Sequence, residues 1–256
     1  MTSSSKDNSV VELGAQGFMF AVTQVDPTVG RLSAKFVERS KVVNMVEREI
    51  DLVPCEELLP GAKHAGRSNN ALFDIQSLVE NRRTSHLCPL NIEDISLTGI
   101  YDSEAFHYVK IALKGCELEN LCLSEEEIAK QSLDLIMIKT SPNILGEQRS
   151  EMIEYLHDAR HYYNLMPYQR QITNIFFRDV SMNLKDQWWD IFEFNEYTLQ
   201  LFEKAYSQEI LKWIPWSTPV KEKEYLSVYL RADQMHNFYK REEYDLLSYF
   251  GDLGGL

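Results

Sequence analysis

Four cysteines constrain this chain more than any other residues: Cys55, Cys88, Cys116 and Cys122. An even count permits two disulfides, in three connectivities. Cys116 and Cys122 have five residues between them, a loop short enough for a bridge to close. Closing it leaves Cys55 with Cys88, each beside a proline (Pro54, Pro89) and bracketing a polar stretch. Bridges persist only in oxidising compartments, whereas four ordinary thiols would suit the cytosol. Spacing leaves both states open. No Cys-x-x-Cys pair is present, so neither zinc nor thioredoxin-like chemistry is indicated.

With 256 residues, 44% of them hydrophobic, the chain can bury a sizeable core as one large domain or two small ones. The net charge of −13 argues against nucleic acid, whose phosphates need a basic surface, and against docking on anionic lipid. It suits solubility and attraction of cations or basic partners. No stretch has enough consecutive apolar residues to span a bilayer, and Met1 to Val10 lacks the apolar core of a signal peptide. The expectation is a soluble chain that is either cytosolic or targeted by a segment outside this sequence.

Residues 1–14 read as a flexible leader, 15–243 as a single globular domain and 244–256 as a separate terminal segment. Gly17 to Val25 is apolar and aromatic, as a strand requires, and Asp26-Pro-Thr-Val-Gly30 carries turn signals. Arg31 to Arg39 and Lys41 to Val53 predict two more strands, the second with weak alternation. Ala71 to Val79 suits a short helix or a buried strand. Ile95 to Gly99 and Phe106 to Leu113 are rich in branched and aromatic residues and predict strands. Ser124-Glu-Glu-Glu127 is a capping box, in which the Ser hydroxyl accepts from the Glu127 amide and the Glu127 carboxylate reaches back. Leu133 to Ile138, Gln171 to Phe177, Trp188 to Phe194 and Tyr225 to Arg231 read as strands. Met152 to Tyr163 predicts a helix, Tyr197 to Leu211 fits either period, and Glu243 to Phe250 reads as the start of a helix. Long strands with a few short helices predict a mainly antiparallel α+β domain.

These blocks resemble the ectodomains of an uncharacterised group of ciliate two-pass transmembrane proteins. The similarity covers Gly17 to Val22, Ile50 to Cys55, Leu87-Cys-Pro-Leu90, Leu97 to Ser103, Phe106 to Cys116 and Cys122 to Ile128. Tyr239 to Leu256 resembles the stretch that enters the second membrane helix in that group. It is also similar to the segment before the last membrane helix of degenerin/epithelial sodium channels, through Leu246, Leu247, Asp252, Gly254 and Gly255. The resemblance implies an extracellular or lumenal domain between two membrane helices, held by Cys55–Cys88 and Cys116–Cys122. It brings no activity with it. The chain departs from the pattern in lacking both membrane helices and any Asn-x-Ser/Thr sequon, and those channels carry many more cysteines.

Candidate chemistry is sparse. His157-Asp-Ala-Arg-His161 sets two histidines four apart, on one face of the expected helix, as two metal ligands can lie. A metalloprotease would have Glu after the first His, and no third ligand stands nearby, so a solvated polar face is the simpler reading. Trp188, Trp189, Trp213 and Trp216 concentrate aromatic surface, suited to packing or to a ligand platform. No nucleophile elbow, P-loop or dinucleotide fingerprint is present. The expectation is a non-catalytic interaction or sensing domain without a cofactor, with a protein partner or a second copy of itself. The alternatives are a cation-channel ectodomain and a cytosolic metal-dependent enzyme or scaffold.

Overall fold

The computed structural model describes residues 10–12, 20–40, 45–58, 85–90, 92, 94–99, 103–118, 121–142, 153–186 and 195–242. Thirteen strands run through them: β1 Val10–Glu12, β2 Phe20–Thr23, β3 Gly30–Ser40, β4 Val46–Ile50, β5 Leu52–Pro54, β6 His86–Pro89, β7 Ser96–Thr98, β8 Ala105–Gly115, β9 Ser132–Pro142, β10 Ile153–Asn164, β11 Gln169–Asp186, β12 Asn195–Trp213 and β13 Glu224–Glu242. Helical turns among the described residues are α1, Glu125–Ile128, and two 3₁₀ turns at Cys55–Leu58 and Val220–Glu222. The described part is therefore mostly β, with less helix than an α+β domain would have. No helix in it is long and apolar enough to cross a membrane.

The strands form two sheets. The smaller runs β10-β9-β2-β6-β5 and is antiparallel throughout. The larger follows β1-β7-β8-β13-β11-β12, with β3 along the other edge of β8 and β4 beyond β3. One edge of β8 pairs with β3 over its whole length. Its other edge is shared by β7 near His107 and by β13 from Val109 to Lys114. β13 lies between β8 and β11, antiparallel to the first and parallel to the second. That parallel pair is the departure from the expected antiparallel pattern.

Alternation places the core between the sheets. Phe20 and Val22 of β2 and Leu133, Leu135 and Met137 of β9 share one buried cluster with the inward residues of the larger sheet. Those are Val109, Ile111 and Leu113 of β8, Ile175 and Phe177 of β11, Phe202 of β12, and Leu226, Val228 and Leu230 of β13. Period-two spacing then turns Tyr108, Lys110, Arg170, Ser227, Tyr229 and Arg231 to the opposite face of the larger sheet.

Several expected elements shift. Val10–Glu12, within the expected leader, pairs with β7, and Val11 is fully buried. The described part of the strand expected over Lys41 to Val53 falls into two, β4 in the larger sheet and β5 in the smaller, with Asp51 between them. The helix expected over Met152 to Tyr163 is strand β10, whose register with β9 shifts between Leu156 and Ala159. Bulged pairing there interrupts strict alternation, and four-residue spacings then look helical. The capping box is present: Glu127 N donates to Ser124 Oγ at 3.4 Å and Ser124 N to Glu127 Oε2 at 2.9 Å. Gly99, just after β7, has φ 67°, and a Cβ there would run into the Ala105 carbonyl oxygen. The elements expected at Ala71 to Val79, Trp188 to Phe194 and Glu243 to Phe250 lie outside the described residues.

Candidate functional site

The richest chemistry lies on the open face of the larger sheet, where β8, β13 and β11 bring distant residues together. Lys110 stands opposite Tyr229 in register, and Ser227 opposite Ala112. At one end, a single carboxylate gathers two cations. Glu224 Oε1 accepts from Lys110 Nζ at 3.0 Å and Arg170 Nη2 at 2.8 Å, and the Ser227 hydroxyl also donates to it. Arg170 further donates through Nε (3.0 Å) and Nη2 (2.8 Å) to Ser227 Oγ, and through Nη2 to the Tyr229 hydroxyl at 3.3 Å. Burial acts to raise the Glu224 carboxyl pKa. The Ser227 hydroxyl with Lys110 and Arg170 outweighs it, so the carboxyl titrates below its ordinary range.

Two residues along β13 the pattern changes. The Arg231 guanidinium lies 4.8 Å from the Tyr229 ring centroid, 5.8 Å from that of Tyr108 and 5.6 Å from that of Phe106. Three aromatic faces thus surround one cation. Its Nε is buried with no acceptor among the described residues. Burial lowers the guanidinium pKa, while Tyr229 and Tyr108 act the other way. Burial raises the Tyr108 phenol in turn, with Tyr229 adding to the rise. On β11, opposite Tyr229, Asn174 is buried and its Oδ1 has no donor among the described residues. Further along the face, Arg178 grips Asp233 Oδ2 through Nη2 (2.7 Å) and Nε (3.0 Å), and His236 Nδ1 meets Asp179 Oδ2 at 3.1 Å.

A second feature is the edge strand β12. Residues 206–213 are all exposed, and they include Tyr206, Ile210, Leu211 and Trp213, the last two at 59% and 63%. Tyr206 stacks on Phe176 at 4.5 Å between centroids. Near the end of β12, exposed Trp216 stacks on Tyr168 at 4.0 Å, and the buried Lys223 ammonium lies 5.1 Å from the Tyr168 ring while bonding Glu125 at 3.1 Å.

The residues singled out from sequence are scattered over this frame. Cys55 bonds Cys88 with a Cα separation of 4.9 Å, and Cys116 bonds Cys122 at 5.6 Å; no cysteine is free. The first bridge ties the 3₁₀ turn after β5 to β6, within the smaller sheet. The second closes the loop between β8 and α1. His157 and His161 sit on a strand rather than a helix, with His157 where the β10 register shifts. His161 Nε2 meets Lys204 Nζ at 2.9 Å, a cation where a metal site would need a ligand. Among the described residues no cluster of three His, Cys, Asp or Glu could hold a metal. Trp213 and Trp216 are surface residues near one another in sequence, while Trp188, Trp189, Leu246, Leu247, Asp252, Gly254 and Gly255 lie outside the described residues.

Arg231, Tyr108, Tyr229 and Lys110 escaped the sequence reading. Their strands were expected, and alternation alone would put Tyr229 with Arg231, and Tyr108 with Lys110, on one face each. The pairing of β8 with β13, which unites the two faces, leaves no local signal.

Comparison with curated proteins gives no match to this chain. Among solved structures, the crystal structure of Erv41p aligns over 94% of this chain and 98% of that chain, with 6% sequence identity and a TM-score of 0.31. A family signature described as "Uncharacterised 80 kDa protein N-terminal domain" matches residues 12–233, the greater part of the sequence, and the chain belongs to that family.

Proposed function

We propose that the chain is a non-catalytic interaction or sensing domain on the extracellular or lumenal side of a membrane, carried by a protein with two membrane helices. The observation that carries this reading is the closure of all four cysteines into two bridges. Thiol pairs in bonding geometry are used where the compartment is oxidising, and cytosolic reductants would keep them open. The membrane topology rests on the sequence resemblance at Phe106 to Cys116 and Cys122 to Ile128. The interaction role is supported by exposed apolar side chains along the β12 edge, because sheet edges with such residues invite a further strand.

Intact mass of protein isolated from its own cells, alkylated before and after reduction, tests the compartment. The expected result is no alkylation until reductant is added, then four additions. Four thiols alkylated without reductant would refute the extracellular or lumenal placement. Protease protection of the domain in sealed vesicles then separates a lumenal face from a cytosolic one.

A further inference from the structure

We propose that Arg231 and its three aromatic neighbours form a binding site for an oxyanion, a carboxylate or a phosphate group. The inference is independent of the compartment. It starts from a contrast among the partly buried cations of one sheet face. Lys110 and Arg170 share Glu224, and Arg178 holds Asp233. Arg231, on the same strand face as Asp233, has no carboxylate and no hydrogen-bond acceptor among the described residues, and its Nε is buried without a partner. The chain carries 39 acidic residues against 26 basic ones, so an unpaired and partly buried guanidinium is not a matter of scarce carboxylates.

Aromatic rings hold a guanidinium in place through its faces and leave N–H edges available; with Nε buried, the edge left to a ligand here is the one formed by the two terminal nitrogens. That edge forms a planar fork that matches two oxygens of a carboxylate or phosphate. The setting favours such a guest. Arg231 belongs to a strip in which Lys110 and Arg170 already exceed the one carboxylate between them, in spite of the acidic character of the whole chain. Partial burial strengthens the attraction, since a desolvated cation gains more from an anion than a hydrated one. Tyr229 and Tyr108 flank the fork with hydroxyl-bearing rings, and Phe106 supplies an apolar wall.

Isothermal titration of the full chain with inorganic phosphate, succinate and an acetylated pentaglutamate, at constant ionic strength, provides the test. One saturable site is expected for phosphate, for the carboxylates or for both, and the selectivity identifies the source. Arg231→Gln should weaken binding at least about ten-fold, the loss expected for a charge-assisted hydrogen-bonded pair. Lys130→Gln, away from the strip, should leave it unchanged. Absence of saturable binding of any probe, or equal binding by wild type and Arg231→Gln, would overturn the proposal. If circular dichroism shows Arg231→Gln unfolded, Arg231→Lys decides the matter. It keeps the charge and loses the fork, so several-fold weaker binding supports the site and unchanged affinity refutes it.

Discussion

Lys204 Nζ lies 2.9 Å from His161 Nε2, and this hydrogen bond links an edge strand of the larger sheet to an edge strand of the smaller one. An ammonium can donate to imidazole only while that imidazole is neutral. Burial first, and the Lys204 charge second, push the His161 pKa down from 6.5 to about 4. The unfolded chain therefore binds more protons than the folded one between these values. The stability this group contributes is complete above pH 6.5 and is lost as pH falls through about 4. Denaturant midpoints measured across this range should drop on acidification by the equivalent of roughly 1–3 kcal/mol, after discounting for solvent screening. In His161→Gln that pH-dependent component should disappear.

The two bridges should differ in what they contribute. Cys55–Cys88 spans a sequence separation of 33 and Cys116–Cys122 one of 6. By chain entropy, the first is worth about 4 kcal/mol and the second about 2 kcal/mol. Urea unfolding of the two paired Cys→Ala variants should rank them in that order. A reversed order would mean that the reduced chain stays compact around the longer loop.

Glu224→Gln should leave Lys110 and Arg170 without their shared carboxylate. Stability should fall by about 2–3 kcal/mol, since removing one partner strands partly buried charges. Glu47 also binds a lysine, Lys35 at 2.9 Å, but its carboxylate is 40% exposed against 18% for Glu224, and it holds one cation rather than two. Glu47→Gln should therefore cost under ~1 kcal/mol. Equilibrium unfolding of both variants gives the comparison directly.

Phe177 and Phe202 meet edge to face in the core, with ring centroids 5.8 Å apart and an interplanar angle of 74°. Phe177→Ala should destabilise by about 3–4 kcal/mol through lost burial and the cavity left behind. Phe177→Leu should recover much of that in thermal melts.

Local patterns carried much of this fold. Phe106 to Leu113 reads as a strand because branched and aromatic residues dominate it, and β8 extends over it. Ser124 and Glu127 announce α1 because a cap needs only its own neighbours. Met152 to Tyr163 misleads because spacings of four satisfy helix and strand alike, and pairing with β9 decides between them. The charged strip was less legible still. Glu224, Ser227, Tyr229 and Arg231 are close in sequence, but Lys110 and Arg170 reach them only through sheet pairing. Tertiary pairing, with no local imprint, made that site.

The place of β13 sets a schedule for biosynthesis. It is the last strand described, and among the described residues of the larger sheet it alone pairs the β8 side with β11 and, through it, β12. As a nascent chain emerges, β8 can pair with β3 at once, but its other edge must wait for Leu226 to Leu230 to arrive. Until then the larger sheet is in two parts, each offering an unpaired edge to whatever is near, with the smaller sheet packed against both. A holding chaperone, or a slow decoding rate ahead of β13, would bear directly on the yield of folded protein, and a nonsense mutation before Glu224 would leave the β8 and β11 edges of the larger sheet open.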